Sequence, residues 1–275
     1  MCIRDSQVSV VPPVNYFITK ITEGSNDSLD SNIDENGDMM VEILTSGEHN
    51  LTYDAGLYKK ASIGDFAWID TNADGLQNDG NTGIAGLDVT LTGTDAFGTP
   101  VQITIQTDQD GAYLFDELIP GSYKISFGTP TMTLITFSNA GTNDSLDSDI
   151  NAMGMTDIEV LESGEHNPTY DAGFYELASI GNYVWEDSNL DGIQNEPNTQ
   201  IEGVTVNLTG TDGFGQTVNK TTTTDSNGLY LFDNLVPGQY KVSIVPPADY
   251  FITKITEGSN DSLDSNIDEL SLIHI

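Results

Sequence analysis

The sequence has a single cysteine, few basic residues and no long apolar run. Cys2 lies in a terminal segment that we set aside below, so disulfides are not expected to stabilise the fold. Only 8 Lys and Arg oppose 43 Asp and Glu, which gives a formal net charge of −35 at pH 7. Such a charge repels nucleic acid and anionic membranes and favours cations as partners. No run approaches the roughly 20 apolar residues of a membrane span, so we expect no membrane insertion.

The sequence also lacks the residue patterns that usually accompany catalysis. It contains no glycine-rich phosphate loop and no His-Glu-x-x-His run. His49 and His166 occupy the same position of a repeated segment, and we interpret both as surface residues. The carboxylates fall in turn motifs that recur along the chain, whereas a catalytic site is usually built once. We therefore expect that the chain is not an enzyme.

What the sequence does contain is an internal repeat with a period of 117 residues. The segment Ala61–Gly64 returns as Ala178–Gly181, and residues 11–35 match residues 245–269 at 23 of 25 positions. A period of this length is close to the common domain size, so one copy can bury its own core. A module repeated in tandem serves length, display or valency more often than chemistry.

The repeat predicts the domain organisation. The first copy is represented by its C-terminal half, the second copy is complete, and the third lacks its last strand; they occupy residues 7–58, 59–176 and 177–269. The two ends fall outside the repeat. We interpret residues 1–6 and 270–275 as translated remnants of a sequencing-library adaptor, because a DNA sequence that encodes one segment encodes the other in its reverse complement. We therefore expect the natural chain to continue beyond both ends.

Short alternating runs predict β-strands in each copy. In Leu87–Thr92 and Val204–Thr209 every second residue is apolar, and Tyr123–Phe127 alternates in the same way. This period of two indicates strands with one buried face. Turn residues separate the runs, and we expect a hairpin at residues 107–111. No sustained helical period is present, so the sequence predicts an all-β fold of antiparallel β-sandwiches.

The motifs resemble a known family. Each copy begins with Ala-Ser-Ile-Gly-(Asp/Asn)-(Phe/Tyr)-x-Trp and continues with Asp-x-Asn-x-Asp-Gly-(Leu/Ile)-Gln-Asn, and the complete copy closes with Glu165–Phe174. These motifs resemble the B-type repeat domain of the serine-aspartate repeat adhesins, which is related to the collagen-adhesin B-type fold. The resemblance implies immunoglobulin-like, or prealbumin-like, β-sandwiches at the bacterial surface or outside the cell. It also implies a stalk role and calcium binding.

The strongest candidate site is a loop that occurs in the second and third copies. Oxygen ligands at loop positions 1, 3 and 5, with Gly at position 6, suit a hard cation, and position 7 can offer its carbonyl. Position 12 carries Asn81 or Asn198 instead of the usual bidentate Glu, although a carboxylate stands at position 10. The alternative is a turn stabilised by its own Asx side chains. The candidate calcium ligands are Asp70, Asn72, Asp74, Leu76, Asn78, Asp79, Asp187, Asn189, Asp191, Ile193, Asn195 and Glu196.

A second acidic cluster begins at Asn143, with counterparts at Asn26 and Asn260. It suggests a weaker calcium site formed by Asp144, Asp147 and Asp149. A solvated acidic loop explains the same residues, and both interpretations stay open.

Three functions fit the sequence. The first is a calcium-stiffened stalk in which neighbouring repeats contact one another and domains outside the chain bind a host or environmental ligand. The second is a module whose own loops bind a glycan or a protein, and the third is an accessory segment of a large secreted enzyme. The acidic loops are nearly unchanged between copies, which favours the stalk, because a spacer tolerates copying.

The short joints between copies predict an extended rod. Lys59-Lys60 and Glu176-Leu177 are the two residues between consecutive copies, which is too few for a flexible linker. Small-angle scattering of residues 59–269, extended to complete the third copy, should give a cross-section of one domain. A compact, nearly spherical profile would contradict this prediction.

Overall fold

The computed structural model describes residues 7–21, 26, 28–255, 260 and 262–267. Within these residues the chain forms β-strands joined by turns, and the prediction of an all-β fold is confirmed. No helix of this described part is long and apolar enough to cross a membrane. The two terminal segments that we interpret as adaptor remnants lie outside the described residues.

Sixteen strands are present in the described part of the chain. The first and second copies contain β1 (Phe17–Ile18), β2 (Leu57–Tyr58), β3 (Ala61–Ile69), β4 (Asp88–Asp95), β5 (Pro100–Gln106), β6 (Ala112–Leu118), β7 (Gly121–Phe127), β8 (Thr133–Ile135), β9 (Glu159–Leu161), β10 (His166–Asn167) and β11 (Ala172–Glu176). The third copy contains β12 (Ala178–Tyr183), β13 (Thr205–Asp212), β14 (Thr217–Thr223), β15 (Leu229–Leu235) and β16 (Gly238–Val245).

The complete copy forms two sheets. One is five-stranded, with the order β10-β3-β11-β8 and β6 paired to β3, and the other has the order β5-β4-β7-β9. β10 pairs with β3 in parallel. The pairs β3 with β6, β4 with β5, β4 with β7, β7 with β9 and β8 with β11 are antiparallel. In the third copy β12 pairs with β15, and β13 lies between β14 and β16. The described residues of the first copy contain one short pair, β1 with β2.

The chain divides into two compact units that do not follow the copies. Unit 1 comprises residues 1–67, 83–128 and 149–172, and unit 2 comprises residues 68–82, 129–148 and 173–275. The second copy contributes segments to both units. The copy boundaries inferred from the repeat therefore stay predictions.

In unit 1 the core is built by the alternating strands β4 and β7. Val89 and Leu91 of β4 are fully buried, and Tyr123, Ile125 and Phe127 of β7 are buried as predicted. The intervening residues of β4 face outward or are partly exposed. The Tyr113 ring meets the Phe127 ring edge-on, with centroids 5.3 Å apart. The period of two thus decides which face of each strand is buried.

In unit 2 the third copy repeats this arrangement. Its core cluster draws on β13, β15 and β16, with Ile180 of β12 packed against it, so side chains of both sheets share one core. The buried members are Val206, Leu208, Phe232, Leu235, Tyr240 and Val242. The predicted sandwich architecture is therefore present in this copy.

The prediction of a hairpin at residues 107–111 is wrong. A tight turn is present, because Asp108 accepts hydrogen bonds from the amides of Asp110 and Ala112, each 2.9 Å long. However, β5 pairs with β4 and β6 pairs with β3, so the turn carries the chain from one sheet to the other. The turn at Asp108 is present as predicted, but a turn alone does not determine which strands pair.

The alternation of β4 yields a stability prediction. Leu91→Ala removes a fully buried side chain and should lower the unfolding free energy by about 2–5 kcal/mol. The matched control Thr94→Ala alters an exposed position of the same strand and should change it by no more than about 0.5 kcal/mol. Urea unfolding of the full chain, followed by circular dichroism, measures both. Equal effects would contradict the assigned strand faces.

Candidate metal centre

The candidate loop of the second copy begins at a buried carboxylate. Asp70 directly follows β3 and is fully buried. Its Oδ2 accepts a 2.8 Å hydrogen bond from the amide of Gly75 and a short one from the hydroxyl of Thr136. Its Oδ1 accepts from the amide of Asp74 at 3.2 Å. The first residue of the motif therefore folds the loop around its own side chain.

The next polar residues of the loop face one another. The Asn72 side chain accepts from the amide of Asp74 at 2.9 Å and donates to Asp74 Oδ2 at 3.0 Å. Asn78 Nδ2 donates to the same Oδ2 at 2.9 Å, and Asp74 Oδ1 accepts from the amide of Leu76 at 2.9 Å. The structure thus brings together the side chains of Asn72, Asp74 and Asn78. A turn held by its own Asx side chains is also consistent with these bonds.

The carboxylate at loop position 10 supplies an observation that turn formation does not explain. Asp79 Oδ1 accepts a short hydrogen bond from the hydroxyl of Thr71. Asp79 Oδ2 is buried and has no hydrogen-bond partner among the described residues. A buried carboxylate oxygen is costly unless a donor or a cation satisfies it.

The second acidic cluster lies against this loop. Leu76 and Asp147 form an isolated antiparallel bridge, and the amide of Gln77 donates to the Leu146 carbonyl at 2.8 Å. Asp147 is buried, and its Oδ1 also lacks a hydrogen-bond partner in the described part of the chain. The sequence alone predicts two separate clusters. The fold instead places the second cluster beside position 7 of the first loop.

Two groups of three carboxylates lie close together among the described residues. In each group all contributing oxygens are within 4.8 Å of one another; the groups are Asp144 with Asp147 and Asp149, and Asp187 with Asp191 and Glu196. Such spacing allows several carboxylates to share one cation. The counterpart clusters that begin at Asn26 and Asn260 include Asp27 and Asp261, which lie outside the described residues.

The loop of the third copy repeats the geometry. Asp187 accepts from the amide of Gly192 at 2.8 Å, and Asp191 accepts from the Ile193 amide at 2.9 Å and from Asn195 Nδ2 at 2.9 Å. The Asn189 side chain accepts from the Asp191 amide at 2.9 Å. Glu196 Oε2 is buried without a hydrogen-bond partner in the described part, as is Asp79 Oδ2 at the equivalent position. An unsatisfied carboxylate oxygen at position 10 therefore recurs in both loops.

The pKa values of the first carboxylates of the two loops are shifted in opposite directions. Burial raises the pKa of Asp70 above its ordinary value, and the hydrogen bonds from Thr136 and Gly75 offset this only partly. At Asp187 burial also raises the pKa, but hydrogen bonds from Thr253 and backbone amides outweigh it and lower the pKa. The nearby carboxylates of Asp79 and Asp74 raise the pKa of Asp70 further, whereas the amides of Leu190 and Asp191 add hydrogen bonds that lower the pKa of Asp187.

Sequence reasoning missed the threonine that supports each loop. Thr136 and Thr253 donate to Asp70 and Asp187 respectively, over a separation of 66 residues in both cases. The signal was present, because the two threonines are 117 residues apart, like the loops themselves. Only the fold shows that they contact the acidic motif.

Comparison with known proteins identifies the repeat. A model of the SdrD B-like domain matches residues 61–174 and 178–274. The chain belongs to the SdrD B-like domain family. The resemblance to B-type repeats is thereby confirmed for both matched copies.

The curated relatives are long serine-aspartate repeat proteins. Serine-aspartate repeat-containing protein D of Staphylococcus aureus strain Newman is 39% identical over 257 residues, which is 92% of this chain and 18% of that protein. Protein F of Staphylococcus epidermidis is 37% identical over 265 residues, covering 95% of this chain and 14% of that protein. The chain therefore spans less than a fifth of the length of either relative.

Solved structures show a more distant similarity. The Bacillus anthracis TIE protein is 15% identical with a TM-score of 0.34, covering 90% of this chain and 45% of that one. A streptococcal ancillary pilin is 12% identical with a TM-score of 0.29, covering 94% of this chain and 73% of that one.

The loop geometry yields a prediction for Gly75. Its φ is +82°, and a Cβ there would lie 2.4 Å from the Phe137 carbonyl oxygen. Gly86 has a φ of +71° but no atom within 4 Å of such a Cβ. Gly86→Ala should therefore cost about 1–2 kcal/mol for the left-handed backbone alone, and Gly75→Ala should cost more. Denaturant unfolding of both variants without added cation measures the difference, and equal costs would contradict the tight packing at Gly75.

Proposed function

We propose that the chain forms non-catalytic, calcium-stiffened stalk repeats of a bacterial cell-surface or secreted adhesin-like protein. Family membership supports this role, as does the tandem copying of one module with nearly unchanged loops. Any ligand of the whole protein would be bound by domains outside this chain. The repeats themselves would contribute length and rigidity, with neighbouring repeats as their direct partners.

The single observation that carries the calcium proposal is the unsatisfied carboxylate oxygen at position 10 of both loops. Asp79 Oδ2 and Glu196 Oε2 are buried without a partner in the described residues, and so is Asp147 Oδ1 beside Leu76. Hydrogen-bond donors within the loops already satisfy the other oxygens of the motif. A hard cation would supply the missing interaction for each orphaned oxygen.

The ligand set suits calcium better than magnesium. Asp70, Asn72, Asp74, Asn78 and Asp79 offer oxygens in one loop, and Leu76 offers its carbonyl. Calcium accepts six to eight oxygen ligands in flexible geometry, whereas magnesium demands a tighter octahedron. Burial and the nearby Asp144 carboxylate both raise the pKa of Asp147. A bound cation would reduce the repulsion between these two carboxylates.

The expected stabilisation is modest. A cation that binds only the native state adds RT ln(1 + [L]/Kd). If Kd lies in the ~10⁻⁴–10⁻³ M range of extracellular modules, millimolar calcium contributes on the order of 1 kcal/mol per site. This should raise the melting temperature by a few degrees.

Calcium dependence of the melt tests the proposal. Calorimetry of the full chain should show a rise in melting temperature when calcium replaces a chelator, and magnesium should substitute poorly. The combined substitutions Asp70→Ala, Asp74→Ala, Asp187→Ala and Asp191→Ala should abolish most of this rise, because they remove the central ligands of both loops.

Two turn carboxylates provide a matched control. Asp108 and Asp225 stand at equivalent positions and accept backbone hydrogen bonds in the turns after β5 and β14. Their replacement by Ala should lower the melting temperature but leave the calcium-dependent rise intact. If titration calorimetry of the unmodified chain detects no calcium binding and the melt is unchanged, the loops act only as turns.

A further inference from the structure

The hairpin between β4 and β5 carries an aromatic residue at its tip. Asp95 and Gly98 close the turn, with the Gly98 amide donating to the Asp95 carbonyl at 2.9 Å, and Phe97 occupies the third position. The β13–β14 hairpin is built in the same way, with Asp212, Phe214 and Gly215. Turn tips usually carry small or polar residues. A phenylalanine there exposes apolar surface unless another element covers it.

Each of these rings meets a tyrosine at the end of the preceding copy. Phe97 contacts Tyr58 of β2, with centroids 5.7 Å apart and planes at 87°. Phe214 contacts Tyr175 of β11, with centroids 5.5 Å apart and again at 87°. Both the tyrosines and the phenylalanines are 117 residues apart. The same edge-to-face pair therefore forms at both joints, and this is a favourable aromatic geometry.

The aromatic pair is present at both joints, but the charged residues that follow the tyrosine differ between the joints. The two residues after Tyr58 are Lys59 and Lys60, whereas those after Tyr175 are Glu176 and Leu177. An electrostatic joint would not survive this reversal of sign. The Tyr–Phe contact is thus a feature that both joints share.

At the second joint the hairpin tip also touches the acidic loop. A Cβ at Gly213 would lie 2.0 Å from the Asn72 carbonyl oxygen, so the hairpin backbone packs directly on that loop. Ala73 beside it is 0% exposed. The Ala73 backbone lies 2.7 Å from the same Cβ position, so the hairpin packs on Ala73 as well. Leu190 stands at the equivalent position of the third copy and is 68% exposed.

We propose that this hairpin tip is a docking element that seats on the terminal tyrosine and the acidic loop of the preceding repeat. Its partner is another copy of the same repeat. Leu190 and the loop around it would form the corresponding receptor surface of the third copy. The proposal deepens the stalk function, because it names the contact that fixes consecutive repeats. It rests on that function but not on calcium, since the contacts involve only protein atoms.

Spin-label distances across each joint test the proposal in the full chain. In a Cys2→Ser background, labels at Thr131 and Asn219 span the second joint, and labels at Met40 and Gln102 span the first; all four positions are exposed. Phe214→Ser should at least double the width of the distance distribution across the second joint and leave the distribution across the first joint unchanged. Phe97→Ser should broaden the distribution across the first joint and leave that across the second unchanged. The turn residues Asp and Gly are retained, so both hairpins should still form.

Gly213→Ala provides a second test that keeps the aromatic pair. The added methyl would clash with the Asn72 carbonyl and should also broaden the distribution across the second joint. Its matched control, Ala96→Gly, changes the equivalent tip position where the chain has no preceding acidic loop, and should broaden neither distribution. Distributions that are unaffected by Phe214→Ser and Gly213→Ala would overturn the proposal, as would equal broadening at both joints. A calcium-independent melt would overturn calcium binding and leave this result intact.

Discussion

The buried carboxylate of Asp70 is the contact on which the acidic loop depends. It ends strand β3, binds the amide of Gly75 and accepts a hydrogen bond from Thr136, which follows β8. One side chain therefore ties together a strand end, a turn and a distant segment. Because an unpaired buried carboxylate is costly, loss of either hydrogen bond should destabilise the loop. The loop is thus part of the folded core and not an appendage to it.

The third copy shows how far this contact depends on its surroundings. Asp187 keeps the same hydrogen bonds to Gly192 and Thr253, yet its pKa is lowered where that of Asp70 is raised. The motif is nearly the same, but Asp70 is buried and lies beside the carboxylates of Asp79 and Asp74, whereas Asp187 is partly exposed. Burial and neighbouring charges, and not the motif alone, therefore determine the direction in which the pKa of its first carboxylate shifts.

The sequence predicted those features that depend on local pattern. The buried face of β4 followed from its alternation, and the self-bonded loop from Asp70 to Asn78 followed from its Asx and Gly positions. The contact of Asp147 with Leu76 and the supporting hydroxyl of Thr136 could not be predicted, because they depend on how distant segments pack. The prediction of a hairpin at residues 107–111 was wrong for the same reason, because a turn forms locally whereas strand pairing depends on the whole sandwich. The sequence indicated such a contact only through the 117-residue period, which Thr136 and Thr253 share with the two loops.

The contact between Tyr175 and Phe214 is uncharged within a chain of net charge −35. Burial, with the nearby Asp212, raises the pKa of Tyr175, so the phenol stays neutral at physiological pH. Repulsion between acidic surfaces acts over a Debye length of about 8 Å at physiological ionic strength, while ring contacts act only at van der Waals range. Changes in salt concentration would therefore alter the repulsion around the joint without weakening the ring contact itself.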